Sequence, residues 1–362
     1  MEITAAVLRR ADGPYTLETA ELADPGPDEV LVRVVAAGMC HTDVLPRAET
    51  GMAPLPIVTG HEGSGVVEAV GPGVDTIAVG DHVVLSFDSC GECVNCRAGT
   101  PCYCDTFIVR NLTGRRVDGS TALTADGDVA SRWFGQSSFA TYALATARNA
   151  VVVDKSLPLE LLGPLGCGVL TGAGSVLVTL DVQPGTSIVV SGAGAVGLSA
   201  IMAAKAAGAT TIVAIDLHEH RLDTARELGA THVVRGDVDD LPGAIVAATG
   251  AGADYGFDTT GVPAVILGVL AGVRMTGHMG LVGVQMGDLV FDGLALLGKT
   301  VTGILEGGAD PQVVIPRLIA LWQEGRFPFD KMIETFPMSE INEAEQASLS
   351  GQVLKPVLIP GS

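Results

Sequence analysis

Basic residues, aromatic residues and long apolar runs are all scarce in this chain of 362 residues. Lys and Arg number 21 against 41 Asp and Glu, which gives a formal net charge of −20. Such a field repels phosphate backbones and anionic lipids, so nucleic acid and membrane surfaces are poor partners. Aromatic residues make up 4%, so the core must consist mainly of Ala, Val, Leu and Ile. Hydrophobic residues reach 48%, enough to bury a sizeable core and to exclude disorder.

The sequence shows neither a membrane-span pattern nor a secretory leader. The most apolar stretch, Ile188 to Ala204, contains glycines and serines and is marginal in length for a span. The N-terminus runs from Met1 into Arg9 and Arg10 without an apolar segment and cleavage site, so no signal peptide is predicted. We therefore expect a cytoplasmic protein.

Two different patterns divide the chain. In the first part, short β-branched runs at 30–35, 65–70 and 82–85 predict a β-rich region. From about residue 170, strand-like runs alternate with Ala-rich helical segments, which predicts βαβ units and a parallel sheet. The predicted strands there are 187–190, 211–215, 232–234 and 254–258, and the predicted helices are 195–207, 219–228 and 241–248. After about residue 300 the pattern is mixed, and a final strand at 353–359 could return to the first domain.

Seven cysteines, an odd number without a signal peptide, indicate metal or thiol chemistry rather than a disulfide framework. Cys90, Cys93, Cys96 and Cys104 have the spacing C-x2-C-x2-C-x7-C. Four thiolates can close a tetrahedral zinc shell with no open position, which makes such a site structural. Cys102 competes as the fourth ligand. An iron–sulfur cluster is the alternative, although nothing nearby resembles a ferredoxin run, and the charge balance excludes a DNA-reading zinc finger.

A second metal constellation is scattered along the chain. Cys40 follows a predicted strand, His61 lies between two others, and Cys167 stands in a segment rich in glycine. Taken singly, each residue is compatible with ordinary packing in the core. Taken together, they offer three protein ligands and leave a fourth position open for water or substrate, which is the arrangement of a catalytic zinc.

A dinucleotide-binding loop is predicted at residues 192–197, where the sequence Gly-Ala-Gly-Ala-Val-Gly follows a predicted strand and opens a predicted helix. Gly192 makes the tight turn, Gly194 lets the backbone approach a pyrophosphate, and Gly197 lets the helix pack on the strand. The N-terminus of that helix then faces the anion.

Asp216 ends the next strand and bears on the choice of cofactor. A carboxylate there can accept hydrogen bonds from the adenosine ribose and repel a 2′-phosphate, which favours NAD over NADP. His218, His220 and Arg221 are basic enough to temper that preference, but we expect Asp216 to prevail. The alternative role for Asp216 is a helix N-cap.

These motifs resemble the zinc-dependent medium-chain alcohol dehydrogenases over essentially the whole chain. The family signature, Gly-His-Glu followed by two spaced glycines, is matched by Gly60, His61, Glu62, Gly65 and Gly71. Within the family, the sequence is most similar to bacterial aryl-alcohol (benzyl alcohol) dehydrogenases, whose close relatives act on geraniol or perillyl alcohol. The segments that carry this similarity are 135–143, 159–168, 171–177 and 327–331.

The resemblance implies an α/β fold of two domains. A GroES-like β-rich catalytic domain is expected at residues 1–168 and 299–362, and a Rossmann NAD-binding domain with a doubly wound parallel sheet at 169–298. The expected cofactors are two zinc ions per chain and NAD, and the expected substrate is a primary aromatic alcohol or aldehyde. The chain is also expected to form a homodimer or homotetramer, and the apolar run 289–305 could form the contact between subunits. The alternatives are an allylic terpene alcohol dehydrogenase and a non-catalytic nucleotide-binding protein.

The resemblance also implies a role for each matched site residue. The implied catalytic zinc ligands are Cys40, His61 and Cys167, with Glu62 beside the metal, and the implied structural zinc ligands are Cys90, Cys93, Cys96 and Cys104. Asp43 matches the carboxylate that orients the ligand histidine, and Thr42 the hydroxyl that bonds the substrate oxygen. The implied cofactor contacts are His41, Gly192, Gly194, Gly197, Asp216, Arg221 and Lys355, with His41 and Lys355 near the pyrophosphate.

One position departs from the family pattern. Leu45 stands where many members carry the histidine that ends a proton relay, and its side chain cannot carry a proton. Aryl-alcohol members often have an apolar residue there, so activity is still expected, with water as the final acceptor. By position, Phe87, Trp133 and Phe134 either line an aromatic substrate pocket or simply pack in the core.

Overall fold

The structure, a computed structural model, describes residues 1–48 and 53–361. It divides into two compact units. The first contains residues 1–167, 310–316 and 330–362, and the second contains 168–309 and 317–329. The predicted bounds gave residues 299–309 to the first domain, whereas this segment lies in the second unit because its strand joins the parallel sheet there.

The strands and α-helices of the described residues have the following bounds. The strands are β1 Glu2–Leu8, β2 Tyr15–Leu22, β3 Glu29–Gly38, β4 Glu62–Val70, β5 His82–Leu85, β6 Leu123–Thr124, β7 Asp128–Val129, β8 Tyr142–Thr146, β9 Ala150–Val153, β10 Ser187–Ser191, β11 Thr211–Asp216, β12 His232–Arg235, β13 Ala253–Asp258, β14 Val273–Leu281, β15 Thr300–Gly303, β16 Ile333–Pro337 and β17 Lys355–Ile359. The α-helices are α1 Val94–Arg97, α2 Phe107–Asn111, α3 Leu159–Leu162, α4 Gly168–Gly174, α5 Ala195–Ala207, α6 Glu219–Leu228, α7 Leu241–Thr249, α8 Pro263–Gly272, α9 Pro311–Gln323 and α10 Ile341–Leu349.

The first unit contains a seven-stranded sheet and a small four-stranded sheet. The larger runs β16-β17-β3-β4-β5-β9, with β8 also paired to β3, and the smaller runs β1-β2-β6-β7. β-Branched residues of β3, β4 and β5 form a core in which Val30, Val32 and Val83 are fully buried. The C-terminal strand β17 pairs antiparallel with β3, so the end of the chain returns to this unit.

Strand pairing in this sheet brings distant functional segments together. β3 and β4 are antiparallel, and Gly38 at the end of β3 pairs with Glu62 at the start of β4. The 3₁₀ turn His41–Arg47 follows β3 directly, while His61 precedes β4 by one residue. Cys40 and His61 therefore lie at the same edge of the sheet, although 20 residues separate them in sequence.

The second unit is a parallel α/β sheet in the order β12-β11-β10-β13-β14-β15. The order reverses beside β10, which is the switch point where ligands bind in doubly wound folds. All residues of β10 are buried, because helices cover both faces of a parallel sheet. The predicted helices 195–207 and 219–228 coincide with α5 and α6, and the predicted doubly wound sheet is confirmed.

Within residues 1–48 and 53–361, no single helix is both long and apolar enough to cross a membrane. The neighbouring segments Leu159–Gly166 and Gly168–Thr179 meet that test only when they are counted together.

Candidate active site and metal centres

Cys40, His61 and Cys167 converge in the first unit. Their ligand atoms all lie within 4.8 Å of one another, although they come from three separate segments. The imidazole of His61 is fully buried and Cys167 is also buried, while Cys40 is half-buried. Three soft or borderline donors at this separation suit a zinc ion with one open position.

The orientation of His61 is fixed through its second ring nitrogen. Nδ1 lies 2.8 Å from Oδ1 of Asp43, a buried carboxylate. Asp43 is itself held by the backbone amides of Cys40 at 3.0 Å and Gly60 at 2.9 Å. The other nitrogen, Nε2, is buried without a hydrogen-bond partner. A carboxylate behind one nitrogen and an orphaned nitrogen in front is the arrangement of a metal-ligating histidine.

Local electrostatics favour the thiolate of Cys40 and the protonated imidazole of His61, whose proton a bound metal would displace. Burial alone lowers the pKa of His61, but the Asp43 carboxylate outweighs it and holds that pKa well above its ordinary value. The pKa of Cys40 lies well below its ordinary value because of a hydrogen bond from Cys167, opposed by burial and aided by the charge of Lys355. A stabilised thiolate is the ligating form of cysteine.

Glu62 and Lys355 form a buried ion pair next to this constellation. Lys355 Nζ lies 2.9 Å from both Oε1 and Oε2 of Glu62 and donates to the Met39 carbonyl at 3.2 Å. Burial lowers the pKa of Lys355, but Glu62 and then Cys40 raise it above its ordinary value, so the ammonium stays charged. Gly38 makes room for the pair, since a Cβ there would overlap the Glu62 carboxylate.

Lys355, which is expected near the cofactor pyrophosphate, lies in the interior of the first unit. Its side chain is only 3% exposed and its ammonium donates to Glu62 and a backbone carbonyl. The physical reason is the pairing of β17 with β3, which carries the start of β17 into the interior of the first unit. Glu62, expected beside the metal, is therefore also the counter-ion of Lys355.

The four clustered cysteines form a second donor set. The sulfur atoms of Cys90, Cys93, Cys96 and Cys104 lie within 4.8 Å of one another, and all seven cysteines are free of disulfides. Backbone amides donate to three of the sulfurs at 3.3–3.4 Å. Such amides, first that of Asp105, lower the pKa of Cys93 to about 6. Cys102 is fully buried and lies outside this set, so the geometry favours Cys104 as the fourth ligand.

The glycine-rich loop of the second unit has the shape that a pyrophosphate requires. Gly192 has φ +88°, and a Cβ at Gly197 would overlap the Gly192 carbonyl, so both glycines are needed for the turn. A Cβ at Gly194 would instead meet open space, which leaves a cradle above the backbone. Helix α5 begins after Gly194 without a side-chain cap, so its first amides are available to an anion.

Asp216 is the last residue of β11, and its carboxylate is hydrogen-bonded to the backbone of the glycine-rich loop. Its Oδ2 accepts a hydrogen bond from Ala193 N at 2.8 Å, and its Oδ1 accepts one from His218 N at 2.9 Å. Arg221 Nη1 lies 3.9 Å from Oδ2. The N-cap of α6 is His218, so the alternative role of Asp216 as the helix N-cap does not hold.

The 3₁₀ turn after β3 carries the remaining predicted residues. Thr42 Oγ1 lies 3.9 Å from Cys40 Sγ, so its hydroxyl is next to the constellation. His41 is exposed, and Leu45 is half-buried and offers no proton acceptor.

Aromatic side chains surround the imidazole. The Phe134 ring stacks on His61 at 4.4 Å between centroids, while Trp133 packs edge-on against Phe134 and is fully buried. Phe87 contacts Phe107, which in turn touches Phe134. Position in the sequence indicated Phe87, Trp133 and Phe134, but gave no sign of Phe107.

Comparisons with known proteins agree over the whole chain. Residues 26–155 match the family model of the alcohol dehydrogenase GroES-like domain, and residues 195–323 match that of the zinc-binding dehydrogenases. Geraniol dehydrogenase of Castellaniella defragrans is 48% identical over 98% of this chain and 97% of its own length. Alcohol dehydrogenase B of Mycobacterium tuberculosis is 34% identical over 99% of this chain and 98% of its own length.

Solved structures show the same likeness. A zinc-binding alcohol dehydrogenase domain protein from Burkholderia ambifaria superposes with a TM-score of 0.97 at 48% identity, covering 99% of both chains. Benzyl alcohol dehydrogenase from Acinetobacter calcoaceticus superposes with a TM-score of 0.95 at 45% identity, again over 99% of both. Zinc and NAD are the cofactors of this family, and both metal-binding sets and the glycine loop described above fit them. The chain belongs to the zinc-dependent medium-chain alcohol dehydrogenase family.

Proposed function

We propose that this alcohol dehydrogenase interconverts primary aromatic, benzyl-type alcohols and their aldehydes, with NAD as the hydride carrier. The observation that carries the proposal is the aromatic cluster of Phe87, Phe107, Trp133 and Phe134, which reaches the His61 ring at 4.4 Å. In a chain with only 4% aromatic residues, a cluster of four that reaches the implied metal ligand His61 through Phe134 is a concentrated source of stacking contacts. The likeness to a benzyl alcohol dehydrogenase supports the same substrate class.

The metal set would act through Cys40, His61 and Cys167. A zinc ion held there supplies a Lewis acid that makes the substrate hydroxyl more acidic. Asp43 keeps Nδ1 of His61 engaged, so that Nε2 faces the metal. The Thr42 hydroxyl, next to Cys40, accepts the substrate proton in a hydrogen bond and passes it outward. Leu45 cannot accept that proton, so the proton passes to water.

The second unit would hold the cofactor. NAD supplies the hydride acceptor when it is bound. The open cradle at Gly194 and the amides of α5 receive the pyrophosphate. The carboxylate of Asp216 accepts hydrogen bonds from the ribose and disfavours a 2′-phosphate, while the half-buried Arg221 beside it contributes a further cofactor contact.

The second candidate substrate is an allylic terpene alcohol, favoured by the 48% identity to a geraniol dehydrogenase. The test compares kcat/KM for benzyl alcohol, geraniol and cyclohexylmethanol with NAD. Cyclohexylmethanol keeps the six-membered ring but removes both its π face and the benzylic activation of the transferred hydride, so its KM is compared with that of benzyl alcohol as well. We expect benzyl alcohol to exceed both others. A geraniol value above that of benzyl alcohol would contradict the aromatic assignment and support the terpene one.

We also propose that two copies of the chain pair through the edge of the parallel sheet. β15 is the last strand of that sheet, and the segment before it exposes large apolar side chains, with Val290 74% and Leu294 79% exposed. Such a patch indicates a protein interface. Sedimentation should show a dimer or tetramer for the parent and a smaller species for Leu294→Asp. A parent that sediments as a monomer would contradict the proposal.

A further inference from the structure

The turn that carries Phe134 has an unusual backbone. Phe134 has φ +50° and ψ +37°, in the left-handed region that bulky residues rarely adopt. Gly135 and Ser137 follow with φ +69° and +52°. A bulky residue stays in such a conformation only where the surrounding structure holds it there.

Two buried amide side chains hold this turn in place. Asn149 Nδ2 donates to the carbonyls of Phe134 and Gly135, both at 3.3 Å, and to that of Ser86 at 3.1 Å. Gln136 Nε2 donates to the carbonyl of His61 at 2.9 Å. The turn is thereby tied to the backbone of His61 and to the residue that follows β5.

This backbone conformation stacks the Phe134 ring on the imidazole of His61, the implied metal ligand. The Phe134 and His61 rings are 4.4 Å apart with an interplanar angle of 28°. The hydrogen bond that Asp43 accepts from Nδ1 constrains one edge of the imidazole but permits the ring to tilt about that contact. A stacked ring on one face opposes the tilt, because the imidazole would have to push into a packed side chain.

We propose that Phe134 is a positioning residue, which sets the plane of the His61 imidazole and so the direction in which Nε2 points. The strained turn, the two amide side chains that hold it and the stacking distance all serve this one placement. The inference rests on the proposed binding of the catalytic zinc by Cys40, His61 and Cys167.

The test is Phe134→Leu in the full-length holoenzyme, beside Phe134→Tyr and the control Phe107→Leu. Phe107 belongs to the same aromatic cluster and touches Phe134, but its ring is not stacked on His61. A chromogenic chelator reports the release of each zinc, and the structural zinc in the same molecule is an internal reference for general loosening. Replacement of the catalytic zinc by Co²⁺ reports ligand geometry through its d–d absorption bands.

We expect Phe134→Leu to release the catalytic zinc about tenfold faster, at the low end of the effect of partners that orient ligating histidines. Its Co²⁺ bands should shift, while the structural zinc leaves at the parent rate. Phe134→Tyr, which keeps the ring, and Phe107→Leu should both release zinc at the parent rate and keep the parent Co²⁺ bands.

Three results would overturn the inference. Parent-like release and Co²⁺ bands in Phe134→Leu, with a change in KM alone, would show that Phe134 only touches substrate. Equal acceleration of both zinc ions would show a general packing role. A parent that holds one zinc per chain would overturn the ligand assignment beneath both the proposed function and this inference, and would do so before any variant is compared.

Discussion

Replacing Lys355 with methionine removes the cation of the buried ion pair with Glu62. Methionine keeps the length and apolar stem of lysine and removes its charge. The Glu62 carboxylate, which accepts from Nζ at 2.9 Å through both oxygens, then stays buried close to Cys40 after losing that ammonium. The Met39 carbonyl also loses its donor.

The expected magnitude follows from the burial of the pair. Removing one partner of a buried ion pair destabilises a protein by about 3–5 kcal/mol, because the other charge stays uncompensated. Neither side chain is more than 3% exposed, so water cannot replace the lost contact. We therefore expect a loss of about 4 kcal/mol for Lys355→Met. The double variant Glu62→Gln/Lys355→Met removes both charges and should be more stable than the sum of the single effects predicts, by about 2 kcal/mol.

The assay is equilibrium unfolding in urea, followed by tryptophan fluorescence in a Trp322→Phe background. Trp322 lies in the second unit, so Trp133 then reports the first unit, where the ion pair lies. All four proteins of the cycle carry the same background. Additive single effects, or a Lys355→Met loss below about 1 kcal/mol, would refute the reasoning, because a pair so deeply buried must be coupled.

Two further predictions concern the cysteine cluster and the cofactor. Cys93→Ser should lose one zinc per chain and have a lower melting temperature, since a closed zinc site contributes folding energy, whereas Cys102→Ser should keep the zinc. Thermal denaturation and metal analysis of both variants test this. A Cys93→Ser protein that loses that zinc but melts at the parent temperature would contradict the structural role. Asp216→Gly should lower the ratio of kcat/KM with NAD to kcat/KM with NADP by about tenfold or more, because it removes the carboxylate that bonds the ribose and repels the 2′-phosphate. An unchanged ratio would mean that other residues discriminate between the two cofactors.

The sheet of the second unit and most ligand candidates were predictable from local pattern. Strict alternation of β-branched runs and Ala-rich segments located α5 and α6 to the residue, because Gly194 and Gly208 mark the ends of α5. The spacing of the four clustered cysteines likewise identifies a metal loop, since ligands so close in sequence need no long-range pairing to meet.

What sequence could not predict depends on pairing between distant segments. Lys355 reaches Glu62 only because β17 pairs with β3, and nothing in its neighbours indicates a buried lysine. The segment 300–309 lies in the second unit because β15 pairs with β14, a choice that its short apolar run does not reveal. The sequence likewise gives no sign of the left-handed backbone of Phe134, since that conformation is normally adopted by glycine.

The central claim is that Cys40, His61 and Cys167 hold a zinc ion on which alcohol oxidation depends. Its most direct test is zinc content per chain, measured beside benzyl alcohol turnover in the parent and in Cys40→Ser, with circular dichroism as the check on folding. The parent should carry two zinc ions, and Cys40→Ser should stay folded, carry one and show no measurable turnover. A folded Cys40→Ser that keeps two zinc ions and near-normal kcat would contradict the account.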